Sequence, residues 1–145
     1  MKLHNKFFLI LFLFTLLFMG NCEALFYPQM QAIPSVTNFT GRIQANRFAN
    51  FYVDEYVLQW NYTPPVDADL RRSYFELRVA SSANPNQRAL LGRTSIRNRS
   101  FEAPFNSAFI RPGQYSILTI TPFIVFNNTA SPIAGPSSQT IVNRP

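Results

Sequence analysis

Prolines at positions 28, 34, 64, 65, 85, 104, 112, 122, 132, 136 and 145 punctuate this chain. Each lacks an amide donor and disrupts a helix interior. Between them Val, Ile, Thr, Phe and Tyr gather in short runs bounded by Pro, Asn, Ser and Gly, which predicts strands separated by turns. Several strands at such spacing predict an antiparallel sandwich or barrel. In EYVLQWNYTPP (55–65), Tyr56, Leu58, Trp60 and Tyr62 alternate with Val57, Gln59 and Asn61. Side chains alternate along a strand, so the larger set is expected inside, with Trp60 as a core plug and Asn61 turned to water. Pro64 and Pro65 end that strand. SYFELRVA (73–80) predicts a half-buried strand, RALLGRTSI (88–96) a weaker one, and RSFEAPF (99–105) a short one. RPGQYSILTITPFIVF (111–126) predicts a long strand after a Pro-Gly turn, FNNTASPIAGPSS (126–138) a loop, and SQTIVNRP (138–145) the last strand.

The first 24 residues carry Lys2 and Lys6 ahead of an apolar run from Phe7 to Met19, the layout of a secretory signal peptide with cleavage expected after Ala24. The run stops at Gly20, Asn21 and Glu23, short of the roughly 20 apolar residues a membrane span needs. An acylated Cys22 and an uncleaved anchor are weaker alternatives, the first because Asn21 is bulky. Residues 25–32 are read as an extended tail and 33–145 as one domain. The product is then expected to be secreted and extracellular, with no membrane span after cleavage.

The only histidine (His4), the only cysteine (Cys22) and both lysines fall in the removed segment. A mature chain with no His, Cys or Lys lacks most side chains that serve as nucleophile, base or metal ligand, so no enzymatic role and no cofactor are expected. Asp67 and Asp69 read as turn formers rather than as a catalytic pair. Eleven arginines then face six carboxylates.

In order, LQWNYTPP, PGQY and GPSSQTIVNRP resemble the landmarks of a fibronectin type III domain, and the likeness spans Ile33 to Pro145. The resemblance implies an all-β fold, a seven-stranded antiparallel β-sandwich of the immunoglobulin-like superfold that needs no disulfide. It also implies that Tyr115 is a tyrosine-corner residue, its ring in the core with Trp60 and its hydroxyl bonded to backbone. An immunoglobulin-like sandwich without its disulfide is the rival architecture. The family implies protein–protein recognition through loops, here 64–72 and 127–137, or through an exposed sheet face, so the expected partner is an extracellular protein.

Three features bear on function. Asn38, Asn61, Asn98 and Asn127 head Asn-x-Ser/Thr triplets, acceptors for N-linked glycans in a secreted eukaryotic chain, or else ordinary turn asparagines. Arg88, Arg93, Arg97 and Arg99, joined by Arg78, form a basic stretch that would suit a polyanion such as a sulfated glycan if Arg93, Arg97 and Arg99 share one face of an extended strand. Nucleic acid is not expected, since no stacking motif accompanies the arginines. Finally, if Tyr115, Ile117 and Thr119 point inward, then Leu118 and Ile120 point outward and can join Ile141 in a partner surface. A β-bulge near Pro122 would instead bury them.

Overall fold

The computed structural model describes residues 32–48, 51–106 and 108–143. The expected signal segment, and all of the expected tail except Ala32, lie outside the described residues. The chain divides into two units at Ala32/Ile33, and the second unit, Ile33–Pro145, holds every described strand.

Eight strands and no helix form among the described residues: β1 (Thr37–Phe48), β2 (Phe51–Asn61), β3 (Tyr74–Ser81), β4 (Asn84–Ser95), β5 (Ser100–Pro104), β6 (Tyr115–Ile124), β7 (Ile133–Ala134) and β8 (Ser138–Asn143). They make two antiparallel sheets, one of three strands in the order β1-β2-β5 and one of five, in which β4, β3 and β6 run in order. β7 and β8 lie end to end along the free edge of β6, Ile133 opposite Ile124 and Asn143 opposite Tyr115. Gly135 and Pro136 interrupt them, and the Gly135 amide donates to the Pro122 carbonyl at 2.8 Å. Proline cannot donate to a ladder, so the interruption falls where its sequence requires.

Alternation decides what each strand buries. On β2 the set Tyr56, Leu58 and Trp60 is at most 2% exposed, and on β3 Phe75 and Leu77 are fully buried. The rings of Trp60 and Tyr62 meet Phe75 edge-on at 5.2 and 5.1 Å, and Phe39 of β1 meets Trp60 at 6.5 Å. Burial of each such side chain contributes about 1.5–3 kcal/mol, and edge-to-face contact adds to it. The Trp60 indole Nε1 and the Tyr62 hydroxyl are buried without a hydrogen-bond partner among the described residues. Burial pushes the Tyr62 phenol up to about 12, against the opposing charge of Arg99.

On β6 the inward set is Ser116, Leu118, Ile120, Pro122 and Ile124, which corrects two expectations. Leu118 and Ile120 have 0% exposure and take no part in a surface, whereas Tyr115 is 39% exposed and is not a buried corner residue. The reason is register. β6 pairs with β3 without a break from Phe123 opposite Tyr74 to Ser116 opposite Ser81, so no bulge near Pro122 resets the alternation either. The inward position next to Tyr115 belongs to Ser116, whose Oγ lies 2.7 Å from the Tyr56 hydroxyl inside the core. Tyr56, not Tyr115, is the tyrosine with a satisfied buried hydroxyl.

β4 departs from even pairing. Leu77 faces Gly92 and Arg78 faces Leu90, leaving Leu91 as an extra residue. A bulge of this kind bends the strand and adds twist. Asn84 to Leu90, on the far side of it, are exposed throughout.

Candidate functional site

Tyr115, turned out of the core, marks the outer face of β6. It shares a face with Ile117, Thr119, Thr121 and Phe123, on the side of the five-stranded sheet turned away from the core. Strand register extends that face sideways. Ile117 stands opposite Ile141 on β8 and Ala80 on β3, while Thr119 stands opposite Arg78, which in turn stands opposite Leu90. Leu90, Tyr115 and Ile141 are 54%, 39% and 59% exposed. All three lie on the half of the outer face where β6 starts and β8 ends.

The other half is closed by charge and stacking. Glu76 is 5% exposed and accepts from Arg78 Nε at 2.8 Å and from Arg93 Nε and Nη2 at 3.0 and 2.8 Å. Burial works against its charge, but the two guanidinium groups outweigh this and hold its pKa below the ordinary value. The Arg93 guanidinium lies 5.1 Å from the centre of the Tyr74 ring, which stacks on Phe123 at 5.1 Å and 7°. Such contacts hold a cation on an aromatic face. Arg78 is thus fixed at the border of the apolar half, its side chain 45% exposed.

The basic stretch does not assemble as the sequence suggests. β4 ends at Ser95, and residues 96–99 turn, so Arg93, Arg97 and Arg99 do not share an extended strand. Arg99 spends Nη1 on the carbonyls of Ile96 and Asn98 at 2.8 and 2.9 Å. Arg78 and Arg93 converge on the one Glu76 carboxylate, which offsets only one of their two positive charges, and Arg88 stands apart on the exposed part of β4. Asp69 is a turn former: its Oδ1 accepts from the Arg71 and Arg72 amides and its Oδ2 from Arg72 Nε at 2.7 Å. The hydrogen bond from the Arg72 side chain leads the effects that lower its pKa.

Asn38, Asn61, Asn98 and Asn127 are all exposed. Asn38 follows the first residue of β1 with φ of 51°, where the β1–β2 register shifts. Asn61 closes β2, Asn98 lies in the β4–β5 turn, and Asn127 lies in the loop after β6.

Sequence reasoning missed Leu90, Tyr115 and the Arg93–Tyr74–Phe123 stack. The signal for Tyr115 was present: of the two alternating sets in YSILTITPFI, one holds two threonines and the other holds Leu118, Ile120 and Ile124. The exposure of Leu90 had no such signal, because it depends on the bulge at Leu91.

No family model matches this chain, and no curated protein matches it.

Proposed function

We propose that this chain is a secreted extracellular binding module of fibronectin type III kind that recognises a protein partner through the outer face of its five-stranded sheet. The observation that carries the reading is the exposure of Tyr115 and Ile141 beside Ile117 on one half of that face, with exposed Leu90 across β3 from them, opposite Arg78. Exposed apolar side chains clustered with an anchoring arginine have the composition of a recognition patch, whereas scattered ones need no explanation. The sheet orders β1-β2-β5 and β4-β3-β6, with β7 and β8 as one interrupted last strand, support the family assignment. Export is supported by the sequence of residues 1–24.

The chemistry of the patch selects the partner. The chain carries a positive excess, and Arg78 borders the patch, so a complementary surface is apolar at its centre and acidic at its rim. A second copy of this chain would bring like charge to the same place.

Affinity capture from the extracellular fluid of the source organism, with the mature chain as bait, tests this. A captured protein should bind at least tenfold more weakly to an Ile141→Glu or Leu90→Glu variant, as expected for central contacts. Val66→Glu, at an 89% exposed position in the β2–β3 connection, should leave binding unchanged. Equal binding by all variants would overturn the assignment of the face.

A further inference from the structure

The four Asn-x-Ser/Thr triplets come from separate segments of the sequence, yet the fold brings them to one end of the domain. β1 starts where β2 ends, since Thr37 pairs with Asn61, and this places Asn38 beside Asn61. β5 starts at the same level, Ser100 pairing with Gln59, and the Trp60 amide donates to the Arg99 carbonyl, which brings in the Asn98 triplet. The loop bearing Asn127 joins them because its amide donates to the carbonyl of Asp67 in the β2–β3 connection. Three triplets meet in one open cleft of about 530 Å³, whose lining includes Asn38, Thr40, Asn61 and Ser100.

Abundant asparagine does not account for this. Asn46, Asn84, Asn86, Asn106 and Asn143 lie toward the opposite end, and none heads an acceptor triplet. Asn128, beside Asn127, heads no triplet either, but all four acceptors lie at one end and none among the described asparagines lies at the other. The apolar half of the outer face, with Leu90, Tyr115 and Ile141, belongs to the end without acceptors.

We propose that N-linked glycans attached at these asparagines crown this end of the domain, shielding its loops and leaving the far half of the outer sheet face bare. The crown rests on the reading of the chain as secreted. Each acceptor is exposed, so a bulky oligosaccharide on its side-chain nitrogen extends into solvent. Asn61 is the poorest acceptor of the four, because Pro64 directly follows Thr63. The shield has a built-in reporter: Arg71 and Arg72 are exposed in the β2–β3 connection at the crowned end, and Arg88 is exposed at the other.

The test is expression of the full chain in a eukaryotic secretory host, release of glycans by peptide-N-glycosidase in heavy-oxygen water, and mapping of the labelled aspartates. Glycans on two or more of the four acceptors are expected. Removing them should speed tryptic cleavage after Arg71 and Arg72 severalfold and leave cleavage after Arg88 unchanged. A secreted product with fewer than two occupied acceptors, or cleavage indifferent to deglycosylation, overturns the crown alone. A chain that stays in the cytosol overturns both the crown and the secreted reading, whereas a glycosylated chain retained inside the secretory pathway supports the crown and contradicts release.

Discussion

Glu76 shows how much one side chain settles on this surface. A carboxylate at 5% exposure on the outward side of a strand would be costly alone, and two arginines make it tolerable. In return it orients both: Arg78 at the border of the apolar patch, Arg93 over Tyr74. Replacing the carboxylate by an amide leaves one neutral oxygen acceptor and turns an NH2 donor toward a guanidinium group. Glu76→Gln should lower stability by about 2 kcal/mol, read from denaturant unfolding. The pH dependence has a definite sign. The folded pKa lies below the ordinary 4.5, so the contribution is complete above that value and is lost as pH falls through the folded pKa. Acid unfolding of the wild type should be steeper than that of Glu76→Gln over this window, and identical profiles would show that the carboxylate is not coupled to folding. Only the Arg78 half of this pairing was legible in the sequence, since Glu76 and Arg78 are two positions apart in an alternating run, whereas the partner Arg93 lies 17 positions away.

At the scale of elements, what could be read depended on whether the two faces of a strand differ in chemistry. β2 and β3 were legible because one alternating set is large and apolar and the other is mostly polar. β6 was only partly so, since YSILTITPFI carries apolar residues on both faces and only the two threonines of the Tyr115 set mark that face as the outer one. The observed orientation also joins Ser116 to the Tyr56 hydroxyl, a long-range contact that the sequence does not announce. β1 carries another such contact. A side chain at Gly41 would place its Cβ 2.7 Å from Leu58 Cδ2 and 2.9 Å from Val142 Cγ2, so the glycine is what lets β1 come close to β8 and close that side of the domain. Gly41→Val should therefore destabilise by about 1–3 kcal/mol through overpacking, measured as a drop in the unfolding midpoint. A neutral result would mean that β1 and β8 stand further apart in solution than in this structure. The triplets at Asn38, Asn61, Asn98 and Asn127 were fully legible as motifs, but their convergence was not, because it is a property of strand order and register.

The unit Ile33–Pro145 has two unlike ends and two unlike sheet faces. One end gathers the asparagine acceptors, and the opposite half of the five-stranded sheet gathers the exposed apolar side chains. This polarity follows from the parity of β6: had Tyr115 pointed inward, Leu118 and Ile120 would be the surface and the core would lose its largest aliphatic contributions from that strand. Hydroxyl-radical footprinting of the purified chain, read residue by residue by mass spectrometry, tests that parity most directly. Tyr115, Leu90 and Ile141 should be modified readily, with Trp60, Leu118 and Ile120 protected until the protein unfolds. Protection of Tyr115 together with rapid modification of Leu118 and Ile120 would contradict the account.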